Sequence, residues 1–150
     1  MSYQITLEAS PAAADNDAIR QGLDRFNVAR VGDTQWVPFS IFIRDDDNTI
    51  VGGLVGGTYW GWLYVELLWI AEEARGHGYG SRLLAMAEAK AIELGCSYAH
   101  LDTMSFQALP FYERHGYNIF GVLDDVPAGS GERRYWLRKT LTAQDSAQTT

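Results

Sequence analysis

From Leu68 to Ser81 the chain reads Leu-Trp-Ile-Ala-Glu-Glu-Ala-Arg-Gly-His-Gly-Tyr-Gly-Ser. An apolar run enters a glycine-rich turn, and a helical pattern follows. The first turn of a helix leaves backbone N–H groups without partners and carries the positive end of the helix dipole. Glycines at that point let a phosphate approach those N–H groups with no Cβ in the way. The stretch Arg75, Gly76, His77, Gly78, Tyr79, Gly80 and Ser81 is therefore a candidate pyrophosphate cradle. It has no Gly-Lys-Ser/Thr and lacks the final spacing of the dinucleotide fingerprint, which sets it apart from both of those phosphate loops. The competing reading is a glycine-rich turn that only packs a helix on a sheet.

A second chemical group stands just upstream. Glu66 lies in the run Tyr64-Val65-Glu66-Leu67-Leu68, two residues before Leu68 and, by strict alternation, on the same pleat face. A carboxylate there is costly to bury unless it is used or paired. The other candidates are weaker. His77, His100 and His115 lack metal-ligand spacing and are expected in surface or packing roles, so no metal is expected. Cys96 follows a helix stop and is expected to be buried rather than nucleophilic. The acidic run Asp45 to Asp47 reads as a solvated hairpin tip. Trp36, Tyr59, Trp60, Trp62, Tyr64 and Trp69 are expected mostly in the core or on a sheet face. Those near Trp60 could also wall a pocket for a cationic amine.

These groups need elements to hold them. Tyr3 to Glu8 alternates like a half-buried strand, and Ser10-Pro11 breaks it. A helix capped near Asp15-Asn16-Asp17 places Ile19, Leu23 and Phe26 on one face and ends near Gly32. Trp36 to Arg44 and Thr49 to Thr58 read as a hairpin around the Asp45 turn, with Gly52, Gly53, Gly56 and Gly57 marking a bulge or a close approach. After the Trp60-Gly61-Trp62 turn, Leu63 to Ile70 reads as a strand buried on both faces. A helix over Ser81 to Leu94 stops at Gly95. A short strand at Ser97 to Leu101, a short helix between Ser105 and His115, and strands at Tyr117 to Val122 and Arg133 to Thr140 complete the chain. Hairpins come first and crossover helices later, so the residues alone predict an α/β domain with a mixed sheet.

The run Arg75-Gly76-His77-Gly78-Tyr79-Gly80 resembles the Arg/Gln-x-x-Gly-x-Gly/Ala motif of the GNAT superfamily of acyl-CoA-dependent N-acetyltransferases. Ala108-Leu109-Pro110-Phe111-Tyr112-Glu113-Arg114-His115-Gly116-Tyr117 resembles that family's Ala-x-x-apolar-Tyr-Glu-x-x-Gly-Phe/Tyr segment, in the right order and at a typical separation. The resemblance covers about half of the chain, from Ile50 to Gly121. It implies a GNAT-like mixed, mostly antiparallel sheet of six to seven strands flanked by helices, with a splayed central strand pair. It also implies acetyl-CoA as co-substrate. The main chain of Leu68 and Ile70 would meet the pantetheine arm, with the Leu68 N–H also meeting the thioester oxygen. Arg75 to Ser81 would hold the pyrophosphate. Tyr112 matches the tyrosine that protonates the departing thiolate. For the base, Glu66, Tyr64 and a water relay all stay open. Many relatives carry Asn where this chain has Ser105, so a coenzyme contact there is weaker or replaced. Pro110 requires that the helix holding Tyr112 start near Gln107.

On this reading residues 1–141 form a single acetyltransferase domain and 142–150 a short polar tail. The chain would be an enzyme acetylating a small-molecule or peptide amine. The alternative is a catalytically weak acyl-CoA-binding module; a nucleotide-binding regulatory domain is disfavoured by the missing lysine motif. The 150 residues carry 19 acidic and 12 basic groups, a net charge of -7, which disfavours a nucleic-acid or membrane-surface partner. No apolar run reaches the roughly 20 residues that span a bilayer. The single cysteine excludes an internal disulfide, and with no basic-then-apolar leader pattern this favours the cytoplasm. Exposed strand edges and aromatic content allow a homodimer.

Overall fold

The computed structural model describes residues 1–33 and 35–142 of the chain. Two compact units are distinguished, Met1–Thr34 and Gln35–Thr150. In the first, helix α1 spans Ala13–Val31, with Asp15 in its first turn and Arg30 in its last. Both charges suit the helix dipole. Gly32, at φ +83°, ends the helix by donating its N–H to the Val28 carbonyl. Tyr3 to Glu8, expected as a strand, forms no strand here. Alternation supplies one apolar face but no ladder partner, and a strand without a ladder has no stability of its own. Of the expected polar tail, residues 143–150 lie outside the described residues.

The second unit is built on a six-stranded sheet. Its strands are β1 (Val37–Arg44), β2 (Ile50–Tyr59), β3 (Trp62–Ile70), β4 (Tyr98–Met104), β5 (Asn118–Asp124) and β6 (Arg133–Thr140). The order across the sheet is β1-β2-β3-β4-β6-β5. Every neighbouring pair is antiparallel except β3 and β4, which are parallel. A parallel pair needs a crossover. Helix α2 (Tyr79–Glu93) supplies it. Helix α3 (Leu109–Arg114) lies between β4 and β5. The Asp45 turn of the first hairpin is locked by its own carboxylate, whose Oδ1 accepts the N–H groups of Asp47 and Thr49.

The core forms where one face of the sheet meets α2. Leu54, Leu63, Val65, Ala99, Leu101 and Leu137 from the strands meet Leu83, Leu84, Ala87 and Ala91 from the helix. Burying a side chain of leucine size contributes about 1.5–3 kcal/mol, so this layer dominates the stability of the unit. One buried charge sits within it. Glu88 on α2 pairs with Lys139 on β6 at 2.8 Å and accepts the Tyr117 hydroxyl at 3.2 Å. Both partners are needed, because a lone carboxylate at that depth would be strongly unfavourable. Cys96 is buried at the edge of the core, and burial pushes its thiol pKa up.

Candidate active site

Strand β3 changes partners along its length, and that change makes the site. Trp62 to Val65 pair with Tyr98 to Leu101 of β4, and the pairing stops there. Beyond Val65 the two strands splay, as the fold resemblance implies. On its other side β3 stays zipped to β2 down to Gly52 opposite Ile70. That ladder slips once: Val55 faces Leu67 while Gly56 faces Val65, which makes Glu66 the extra residue of a β-bulge. Gly56 is needed opposite the bulge, since a Cβ there would run into the Tyr64 carbonyl.

The bulge corrects two expectations. Strict alternation no longer holds across Glu66, so Glu66 and Leu68 do not share a pleat face. Glu66 and Leu67 are both exposed, whereas Leu68 and Ile70 pack against the core. Glu66 is thus not a buried carboxylate. Nor is β3 buried on both faces: Leu63 and Val65 are buried, and Leu67 and Trp69 face outward. Only one side of the strand has a helix layer to cover it within this unit.

A cavity of about 590 Å³ opens at the splay. Residues 65–70 of β3 form one wall, with Arg75 and Gly80 at one end. Asp102, Thr103, Gln107, Phe111 and Tyr112 line the opposite side. The candidate cradle residues stand where the strand ends. Glu72–Ala74 make a single 3-10 turn, and Gly78 caps α2 in the left-handed region at φ +78°. A side chain at Gly78 would be strained there. Arg75 folds back, and its Nε donates to the Ile70 carbonyl at 2.9 Å. The guanidinium thereby fixes the loop against the end of β3. His77 Nδ1 lies 2.8 Å from the Arg75 carbonyl, and its ring stacks on Tyr79. The first bond along α2 is Arg82 N–H to the Gly78 carbonyl, and no side chain caps the helix. The amides of Tyr79, Gly80 and Ser81 therefore have no carbonyl within the helix to bond. Gly76 and Gly78 have nothing within 4 Å of where a Cβ would stand, which leaves room for an anion.

Tyr112 projects from α3 into the floor of the cavity and is 6% exposed. Burial, reinforced by the nearby Asp102 carboxylate, pushes its phenol pKa up to about 12. The phenol therefore stays protonated across the neutral range. Pro110 falls in the first turn of α3, and the helix starts at Leu109 with Ala108 as its N-cap, slightly later than expected. Ser105 does not line the cavity. Its hydroxyl bonds the Glu132 carboxylate and accepts the Arg133 N–H, which ties the β4–α3 connection to the start of β6.

Asp102 was not among the expected site residues. Asp102 lines the cavity and pairs with Arg134 at 2.8 Å. The expected strand stopped at Leu101, although the alternation Ala99-His100-Leu101-Asp102-Thr103 continues and could have revealed it. Behind Asp102 lies an aromatic group on the same face of β2, β3 and β4. The Tyr59 hydroxyl lies 2.8 Å from His100 Nε2, and Tyr64 stacks on the His100 ring at 4.9 Å. Burial lowers the His100 pKa against an opposing pull from Asp102. Tyr64 is pushed up first by burial and then by Asp102 and Glu66. Among the described residues no group of three His, Cys, Asp or Glu side chains could hold a metal, and no helix is long and apolar enough to cross a membrane.

Two backbone devices, a splayed strand and an uncapped glycine-headed helix, flank one buried phenol, a combination suited to handling an acyl thioester. The comparisons with known proteins agree. The family described as Acetyltransferase (GNAT) family matches residues 13–117. Acetyltransferase Atu2258 of Agrobacterium fabrum is 48% identical over 122 residues, 81% of this chain and 88% of that protein. Blasticidin-S acetyltransferase of Streptomyces morookaense is 49% identical over 92 residues, 61% of this chain and 68% of that protein. A crystal structure from Agrobacterium tumefaciens, assigned as an acetyltransferase, superposes with a TM-score of 0.84 and 43% identity over 93% of this chain and 100% of that one. A Bacillus anthracis structure in complex with acetyl coenzyme A matches with a TM-score of 0.61 and 25% identity, over 71% of this chain and 64% of that one. The chain belongs to the GNAT acetyltransferase family and is an acyltransferase.

Proposed function

We propose that this acyltransferase is an N-acetyltransferase that moves the acetyl group of acetyl-CoA directly to a primary amine on a small molecule. The carrying observation is that one cavity joins the unpaired edge of β3, the head of α2 and the Tyr112 phenol. Acetyl-CoA supplies an activated thioester. The amides at the head of α2, in the loop set by Arg75, hold its pyrophosphate, and residues 76–80 contribute backbone more than side chain. The main chain of Leu68 and Ile70 extends the sheet by one strand, so that the pantetheine arm lies along β3. The Leu68 N–H polarises the acetyl carbonyl and stabilises the oxyanion that develops there.

An amine must lose a proton to attack, yet an alkyl amine with a pKa near 10.4 is charged at neutral pH. Glu66, exposed at the bulge on the cavity wall, takes that proton directly or through a water. Tyr112 gives a proton to the departing thiolate. The name of the Streptomyces relative specifies blasticidin-S, which supports a small-molecule acceptor over a peptide. The test is thiol release from acetyl-CoA in the presence of an amine panel that includes blasticidin-S, with mass detection of the acetylated product. Coenzyme binding without release on any amine would replace this reading by that of an acyl-CoA-binding module.

A further inference from the structure

Helix α3 has six residues, far below the length at which a helix holds itself in water. Its position, and with it that of Tyr112, is therefore set by contacts to other elements. One of these reaches the cradle. The Oγ of Ser81, in the first turn of α2, lies 2.9 Å from Nε2 of His115, the C-cap residue of α3. The backbone of His115 is in turn tied to Tyr112, because its N–H donates to the Tyr112 carbonyl at 3.0 Å. Apolar packing runs alongside. The Phe111 ring meets His115 edge-on at 4.7 Å, and a Cβ on Gly80 would stand 3.3 Å from the same ring.

We propose that His115 is a positioning residue, and that its hydrogen bond to Ser81 locks the helix bearing Tyr112 to the first turn of the phosphate-holding helix. The proposal rests on the acetyltransferase reading above and adds to it a coupling between coenzyme grip and proton donor. Ser81 contributes a backbone amide to the cradle, so an anion seated there restrains the first turn of α2. The pin passes that restraint through His115 to Tyr112. Burial, together with the nearby Lys139 and Arg114 cations, lowers the His115 pKa, so its neutral imidazole persists at neutral pH and can share a proton with the serine hydroxyl. A phenol that must meet one sulfur needs such registration, since misplacement of a catalytic group by about 1 Å costs on the order of 100-fold in rate.

Four variants of the full chain test this: Ser81→Ala, His115→Phe, His115→Gln and the double variant Ser81→Ala/His115→Phe. The first two should each lower kcat by about fivefold, the worth of one neutral hydrogen bond, with KM for acetyl-CoA moving less. His115→Gln can still bond Ser81 and should recover most of the loss. The double variant should be no worse than either single one, because both singles break the same bond. Multiplying losses, or a glutamine as poor as phenylalanine, would overturn the pin. Hydrogen exchange of residues 109–116 supplies a readout independent of catalysis. Ser81→Ala should speed exchange there in the coenzyme-free protein, and unchanged exchange would overturn the proposal even if His115→Phe fails to fold. Should the parent protein transfer no acetyl group, the acetyltransferase reading fails while the exchange experiment still decides the pin.

Discussion

The two flanks of the cavity are made differently. On one, the β3 edge and the head of α2 present backbone, and the side chains of the loop serve that backbone: Arg75 anchors it and His77 braces it. On the other, Asp102, Thr103, Gln107 and Tyr112 present side chains: Arg134 holds Asp102, and Gln107 accepts the Thr103 hydroxyl. A backbone surface tolerates exchange of side chains and fails when a Cβ or a wrong φ intrudes. A side-chain surface behaves in the opposite way. The first suits a constant partner and the second a variable one, which is the division expected between a coenzyme and an acceptor.

That contrast can be tested by substitutions, taken from the largest effect to the smallest. On the proposed mechanism Tyr112→Phe removes the proton donor and should lower kcat by about 100-fold with KM for acetyl-CoA unchanged. With its phenol pKa pushed up to about 12, the parent enzyme should show no loss of kcat from Tyr112 ionisation up to pH 10, read from a pH–rate profile. The same shift has a stability consequence. The unfolded chain ionises this tyrosine near pH 10 while the folded chain does not, so folding stability should decline as pH rises from 10 through 12.

Glu66→Gln should lower kcat/KM for the amine by about tenfold at pH 7, as expected for loss of a base that water partly replaces. The deficit should close as the pH nears the pKa of the free amine, and an unchanged profile would remove Glu66 from the chemistry. Gly78→Ala places a Cβ at φ +78°, costing about 1–2 kcal/mol in that region. It should raise KM for acetyl-CoA by about fivefold, as measured by initial rates. His77→Ala, though it deletes an entire imidazole, should change KM by less than about twofold, because its bond only braces an exposed loop. If His77→Ala proves worse than Gly78→Ala, the loop works through its side chains and the contrast between the flanks is wrong.

The same contrast explains what could be read from the sequence. The uncapped head of α2 was legible because backbone chemistry leaves a glycine signature at Gly76, Gly78 and Gly80. Tyr112 was legible through the resemblance of its segment, and Pro110 fixed the start of its helix to within two residues. The side-chain contacts on and behind Asp102 were not legible. Tyr59 and His100 are 41 positions apart, and no local pattern pairs them. Asp102 was lost because the strand was ended too early. Glu66 was found, but its orientation was wrong, since a bulge adds a residue without any signature of its own; its trace was Gly56 on the neighbouring strand. Tyr3 to Glu8 failed for the converse reason, a sound local pattern with no partner to satisfy it.

The extra residue in β3 has an effect that reaches past the cavity wall. It acts as a phase shifter: residues on either side of it obey the same odd–even rule but with opposite parity relative to the sheet. Were the strand to run straight with Glu66 still in it, Leu68 and Ile70 would exchange with Leu67 and Trp69 between inside and outside, whereas loss of residue 66 would leave Leu67 directly after Val65 in the same register. The bulge is thus what lets the chain carry one surplus residue, and with it a carboxylate on the cavity wall, without turning the rest of the strand inside out.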